Sequence, residues 1–330
     1  MVTEAHHLKF GVVGVGAMGQ HHVRIAGELP GVELVGLFDT DELRCEEICR
    51  RYGCRCFDRL EELLDRVDAL SVAAPTSLHA EIGVKCLERG AHLLMEKPLA
   101  HNVQEAERLV KMAEQNGAIL AVGHVERHNP AVEAMMKLLR EEPEDIISID
   151  VRRLMPFDGS RCMDVDVLYD LLIHDVDLAL EIASSPIARV SASGRPVFSH
   201  QTDVAHTRIE LQNGATAVFW TAKCTPQKVR SITVSTPTRL LVADTLRKTL
   251  TVHTARQIPA TTAQTCLMGE ISTKDFPVPD VEPLRREIED FVRACREGAP
   301  PLVDGARALK ALKALAMVSR SLESGEIIEN

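Results

Sequence analysis

Two rhythms divide the chain. From Leu8 to about Gly123, short apolar runs alternate with stretches whose apolar residues recur every three or four positions, so strands should alternate with helices. The runs Leu8 to Val13, Val32 to Phe38, Ala69 to Ala74, Ala91 to Met95 and Ile119 to Val122 are apolar at nearly every residue, the pattern of strands buried on both faces. Between them, helices are predicted over Ala17 to Leu29, Asp41 to Tyr52, Leu60 to Arg66, Ser77 to Arg89 and Val103 to Gln115, with one short strand over Cys54 to Phe57. This is the pattern of a doubly wound parallel sheet, an α/β domain over residues 1–123.

Beyond Gly123 the strands become longer and alternate polar with apolar residues: Ile146 to Leu154, Val204 to Leu211, Ala215 to Lys223, Lys228 to Ser235 and Leu250 to Thr254. Asn213-Gly214 is a strong hairpin turn between two of them. Asn129-Pro130 starts a helix over Ala131 to Arg140, with asparagine as cap and proline in the first turn. Further helices are predicted from Asp164 to Ala183, from about Pro283 to Glu297 and from Gly305 to Ser321. Residues 124–330 thus read as an α+β domain on a largely antiparallel open sheet.

Composition narrows the classes of function. The chain has 330 residues, is 45% hydrophobic and 26% charged, and can bury large cores. A net charge of -10 with only 3% aromatic residues excludes a nucleic-acid binder, which needs a basic face. The N-terminal residues lack the basic and apolar segments of a signal peptide, and no apolar run has membrane-spanning length, so a cytoplasmic protein without membrane association is expected. Nine cysteines without an export signal argue against a disulfide framework and for free thiols. Cys45, Cys49, Cys54 and Cys56 cluster, but their spacing is not the paired C-x-x-C of zinc modules, and no metal is expected.

Chemistry enters with Gly14-Val-Gly16-Ala17-Met18-Gly19. Such a turn occurs by chance in many chains, but here it lies between a predicted strand and a predicted helix, the context that seats a dinucleotide pyrophosphate. Gly14 would allow the tight turn, Gly16 a close approach of backbone to phosphate, and Gly19 close packing of helix on strand. Asp39 ends the second strand, where a carboxylate accepts from the adenosine ribose hydroxyls and repels a 2′-phosphate, favouring NAD over NADP. Pro75 ends a later strand, and Glu96-Lys97-Pro98 ends the next, with a lysine where the nicotinamide would lie. The NAD-binding set is then Gly14, Gly16, Ala17, Met18, Gly19, Asp39, Pro75, Glu96 and Lys97.

In the helix ending at Ala183, Asp170, His174 and Asp177 fall at i, i+4 and i+7 and so on one face, whereas Asp175 points elsewhere. A carboxylate one turn from an imidazole fixes its tautomer and raises its basicity, as a general base for an alcohol proton requires. A solvated polar face is the plainer reading; the strongly apolar flanks favour a cleft.

The glycine turn, Asp39, Glu96-Lys97-Pro98 and the Asp170-x-x-x-His174 helix, in that order over essentially the whole chain, resemble the Gfo/Idh/MocA family of NAD(P)-dependent oxidoreductases. The resemblance implies an N-terminal Rossmann domain, a C-terminal domain whose open sheet forms the substrate pocket and oligomer interface, and oxidation of a ring hydroxyl of a sugar or cyclitol. A homodimer or homotetramer is expected on the same ground. It implies a catalytic set of Lys97, His174 and Asp170, with His174 as base and Lys97 donating to the reacting oxygen, although the two could exchange roles.

Gly123 to Val132 and Asp170 to Asp177 resemble in particular the subgroup of UDP-N-acetylglucosamine 3-dehydrogenases, with His128 standing where that subgroup usually has an aromatic residue. That implies a substrate-binding set of Lys97, Arg127, Asn129, Arg153, Asp170 and His174, with Arg127, Arg152, Arg153 and Arg161 as candidate pyrophosphate partners. Three other readings stay open: an inositol or free-sugar dehydrogenase, a glycosidase using NAD transiently, and a nucleotide sensor without catalysis. A sensor would need the glycine turn but not a base.

Overall fold

The computed structural model describes residues 7–157, 166–255 and 271–330. The chain divides into two compact units, Met1–Val125 with Glu282–Leu312, and Glu126–Val281 with Lys313–Asn330.

In the first unit, strands β1 (Leu8–Val13), β2 (Val32–Phe38), β3 (Arg55–Cys56), β4 (Ala69–Val72), β5 (His92–Glu96) and β6 (Leu120–Gly123) alternate with helices α1 (Ala17–Glu28), α2 (Glu42–Tyr52), α3 (Leu60–Leu64), α4 (His79–Glu88) and α5 (Val103–Asn116). A short 3-10 turn, Thr76–Leu78, precedes α4, where the sequence predicts one continuous helix. All pairings are parallel and the order is β3-β2-β1-β4-β5-β6, the doubly wound arrangement whose switch point lies between β1 and β4. The helices end as their sequences dictate: Asp41 and Asn102 cap α2 and α5 by accepting from Arg44 and Glu105, and Gly53 and Gly117 close them in the left-handed region.

The second unit begins at α6 (Pro130–Glu141), which Asn129 caps, and continues through β7 (Ser148–Leu154), α7 (Ile173–Ala183), β8 (Ile187–Arg195), β9 (Val204–Leu211), β10 (Thr216–Ala222), β11 (Val229–Ser235), β12 (Arg239–Asp244), β13 (Thr249–Ala255) and β14 (Ile271–Phe276). Helices α8 (Pro283–Glu297) and α9 (Gly305–Ser324) and strand β15 (Ile328–Glu329) complete the chain. Among the described residues these strands form one sheet, β14-β13-β12-β11-β7-β10-β9-β8-β15, antiparallel except for β7 beside β10. The Asn213-Gly214 turn joins β9 to β10 as expected, with Gly214 at φ +89°. One sheet face buries Ile149, Val151, Phe219, Ile232 and Leu241 with residues of α6 and α7; the other exposes Val218, Trp220 and Leu240.

Two expectations are corrected. The division at residue 123 leaves out residues 282–312, which belong to the first unit. Helix α8 is strongly amphipathic, and its apolar face, Leu284, Ile288, Phe291 and Val292, enters the core around β1, with Phe291 edge-on to Phe10 at 6.1 Å between ring centres. The cysteines are not all free thiols: α2 faces β3 closely enough that Cys45 and Cys56 are joined in a disulfide.

Candidate functional site

The first unit builds a dinucleotide cradle at its switch point. Gly14 has φ +82°, and a Cβ there would come within 2.8 Å of the Ala73 backbone; at Gly19 a Cβ would overlap the Gly14 carbonyl oxygen. At Gly16, by contrast, a Cβ would meet nothing within 4 Å. The turn and the helix packing therefore demand Gly14 and Gly19, while Gly16 borders open space. Helix α1 starts from Gly16 with neither a capping side chain nor an acidic residue in its first turn, so its leading N–H groups and positive dipole end suit an anion. Ala17 and Met18 are exposed beside them, as is Pro75.

Asp39 does more than the sequence suggested. One carboxylate oxygen accepts from the Val15 N–H at 2.6 Å and the other from the Asp41 N–H at 2.8 Å, tying the glycine turn to the end of β2. An ionised carboxylate has about four acceptor positions, so two remain for a diol. The residues present thus fit an NAD molecule: N–H groups for its pyrophosphate, a carboxylate for its ribose.

Around Glu96-Lys97-Pro98 the structure reveals partners that the sequence hid. His22 is fully buried in α1; its Nδ1 lies 2.6 Å from Ser71 Oγ and its Nε2 3.1 Å from Glu96 Oε1. The second Glu96 oxygen accepts from the Lys97 N–H at 3.2 Å. Burial would raise the Glu96 carboxyl, but the His22 hydrogen bond and charge, with Lys97, hold it below its ordinary value. Gly123 makes room, since a Cβ there would sit 3.2 Å from this carboxylate. His79 bridges the Ala74 and Pro98 carbonyls at 2.9 Å each and so fastens the turn after β4 to the one carrying Lys97, whose bond to Pro98 is cis. Burial lowers the His79 pKa. Glu287 of α8 is buried with no hydrogen-bond partner among the described residues, and burial followed by the Glu96 charge raises its carboxyl well above the ordinary range.

In the second unit the helix predicted from Asp164 begins, among the described residues, with a π-helical turn, Leu168–Leu172, that runs into α7. Asp170 lies in this wide turn and His174 just after it, and both are only partly buried. A π turn is a frequent mark of functional positions. Asp177 does not share their access to solvent: it is 2% exposed and grips Arg127 with both oxygens, at 2.6 and 3.1 Å.

Two of the arginines expected on the pyrophosphate, Arg127 and Arg153, are engaged inside the unit. Arg127 also meets Glu181 at 2.9 Å, and Arg153 is clamped between Asp175 at 2.7 Å and Glu126 at 3.0 Å. Arg230 shares the same Glu126 oxygen at 3.0 Å. Asn129, besides capping α6, donates to Glu126 and to the Thr245 carbonyl. Burial works against the Glu126 charge, yet Arg153 and Arg230 hold its carboxyl low; burial raises Asp175 in spite of Arg153. Arg127 and Arg153 therefore brace α7 through Asp177, Glu181 and Asp175, while Asn129 ties the start of α6 to Glu126 and Thr245. Arg152 is exposed on β7, Arg230 remains partly exposed, and Arg161 lies outside the described residues.

Known proteins resemble this chain along its length. Residues 8–124 match the model of the Gfo/Idh/MocA oxidoreductase family with an NAD-binding Rossmann fold, and residues 152–238 match the model of a C-terminal domain of the same family. The UDP-N-acetylglucosamine 3-dehydrogenase of Acidithiobacillus ferrooxidans is 29% identical, over 96% of this chain and 98% of its own. A solved structure of that enzyme superposes with a TM-score of 0.88 over the same shares of the two chains. The NAD-dependent scyllo-inositol 2-dehydrogenase of Bacillus subtilis is 25% identical, over 90% of this chain and 89% of its own. Among the described residues no helix is long and apolar enough to cross a membrane.

Proposed function

The chain belongs to the Gfo/Idh/MocA oxidoreductase family, whose two domain models together match more than half of it, and on that premise we propose that it oxidises C3 of UDP-N-acetylglucosamine to the 3-keto sugar nucleotide. It is an NAD-dependent oxidoreductase acting on CH–OH groups. The reading of the sugar nucleotide is carried by one observation: the similarity to a UDP-N-acetylglucosamine 3-dehydrogenase runs through both units, over 96% of the chain.

In this reading Gly14, Gly16, Ala17, Met18 and Gly19 receive the pyrophosphate of NAD, and Asp39 its adenosine ribose. Pro75, Glu96 and Lys97 border the nicotinamide end. When bound, NAD supplies the acceptor for the hydride from the substrate carbon. His174 takes the proton of the substrate hydroxyl, with Asp170 as its carboxylate partner, and Lys97 donates to the same oxygen as charge develops. The exchange of these two roles is the internal alternative, since a lysine desolvated beside a cationic ring can lose its proton and act as base. Arg127 and Arg153 act through the helix that carries His174 and Asn129 through Glu126, leaving the partly exposed Arg230 as a cation for the nucleotide end. The domains divide as cofactor unit and substrate unit, and the open sheet face bearing Val218, Trp220 and Leu240 pairs with a second copy in a homodimer or homotetramer.

The test is NADH formation with a panel of substrates. UDP-N-acetylglucosamine should react far better than N-acetylglucosamine, because a site built to hydrogen-bond the missing groups is left with unpaired polar atoms. Faster reduction of NAD with an inositol or glucose would overturn the sugar-nucleotide reading and leave the family standing.

A further inference from the structure

The first unit carries a sulfur cluster that the oxidoreductase chemistry does not use. Cys45 and Cys49 are one turn apart on α2 and share a face; Cys54 lies just before β3 and Cys56 within it. The two pairs meet. The sulfur atoms of Cys45, Cys49 and Cys56 lie within 4.8 Å of one another, and the Cys54 N–H donates to the Cys49 carbonyl at 3.2 Å, which holds Cys54 beside them. It is the one cluster of potential metal ligands among the described residues, and no carboxylate or imidazole belongs to it. Cys45 is fully buried and Cys49 nearly so, while Cys54 and Cys56 are partly open to solvent, which leaves a route of entry.

We propose that Cys45, Cys49, Cys54 and Cys56, with the Cys45–Cys56 disulfide reduced, form a tetrathiolate site for one zinc ion.

In a tetrahedral zinc site with Zn–S bonds of about 2.3 Å, neighbouring sulfurs are about 3.8 Å apart, a spacing within reach of sulfurs that already lie within 4.8 Å of one another once the Cys45–Cys56 bond is opened. The cysteine spacing is not that of two C-x-x-C knuckles. Here a helix pair and a pair at β3 supply the ligands instead. Soft thiolates without hard oxygen donors select zinc over magnesium or calcium. Reduction of the disulfide by a dithiol takes two electrons and two protons, the reductant becoming a disulfide. Zinc then displaces the four thiol protons into solvent. Arg50, Arg51 and Arg55 flank the cysteines in the chain and suit the resulting double negative charge. The ion would pin the two-residue edge strand β3 to α2, the helix that follows Asp39.

The experiment titrates Co(II) into the full chain after chelation and dithiothreitol reduction without oxygen. The expected result is one equivalent bound with thiolate-to-metal charge-transfer and tetrahedral d–d bands, displaced by Zn(II), lost in Cys49→Ser and Cys54→Ser and retained in Cys224→Ser. Should the serine variants not fold, the wild type decides alone: one equivalent of zinc should protect Cys54 and Cys56 from alkylation in peptide maps. Absence of the bands from the reduced protein, bands indifferent to the substitutions, or alkylation unaffected by zinc would each overturn the site.

Discussion

Arg153→Leu separates the two roles open to this arginine. In the structure it is 3% exposed and holds two buried carboxylates, Asp175 and Glu126. Glu126 would keep Arg230, but Asp175 would lose the guanidinium that grips it and remain 1% exposed. Breaking a buried pair by removing one partner costs about 3–5 kcal/mol. For a unit of this size each kcal/mol lowers the melting temperature by about 2–4 °C, so a fall of roughly 6–20 °C is expected.

The chain's one tryptophan, Trp220, lies in β10 of the same unit, so its fluorescence during thermal or urea unfolding reports the right region. The loss should also depend on pH. With the guanidinium gone, burial holds the Asp175 carboxyl still further above its unfolded value, so its contribution is retained below the unfolded pKa and lost as pH rises through the folded one. The deficit should therefore be larger at pH 7.5 than at pH 5. An unchanged unfolding transition together with a raised KM for the UDP-sugar would refute the reasoning and make Arg153 a ligand of the nucleotide.

Asp39→Ala should narrow the preference for NAD over NADP, read as the ratio of dissociation constants, and should weaken NAD itself because the tie to Val15 is lost as well. His174→Ala and Lys97→Ala should each lower kcat by about 10²-fold or more with NAD affinity nearly unchanged, and Asp170→Asn by less; near-native turnover in His174→Ala would move the base to Lys97. Glu287 has a raised folded pKa, so its contribution is present below the unfolded value and lost as pH climbs. Melting of Glu287→Gln should accordingly gain on wild type from pH 5 to pH 8, and parallel pH profiles would refute the assignment.

What the sequence made legible was local. Strand, glycine turn and helix are contiguous in the chain, so β1, Gly14 to Gly19 and α1 could be read directly, and the near-continuous apolar runs marked a parallel sheet before any pairing was known. Strand β8 was missed because Ser191, Ser193 and Gly194 dilute its alternation, and β12 because Leu240, Leu241 and Val242 form a short run rather than an alternating one. The return of α8 to the first unit depends on where its apolar face finds a partner, Phe291 meeting Phe10 from the far end of the chain, and no local pattern encodes that.

The same limit governs the site. The carboxylate partners of Arg127 and Arg153, Asp177 and Asp175, were not legible because they are remote in sequence. The aspartates had been read as a catalytic stripe and a bystander. For His22 the available signal was its place three positions after the last glycine of the turn, on the buried face with Val23 and Ala26, where an imidazole needs a polar partner.

The central claim is tested most directly by locating the oxidised carbon. The enzyme is incubated with UDP-N-acetylglucosamine and NAD, the product is trapped with sodium borodeuteride, and the recovered sugar nucleotide is analysed by mass spectrometry and NMR. Deuterium at C3, absent without NAD and absent with His174→Ala, is the predicted result. Label at C4 or C6, or no label while an inositol reduces NAD readily, would contradict it.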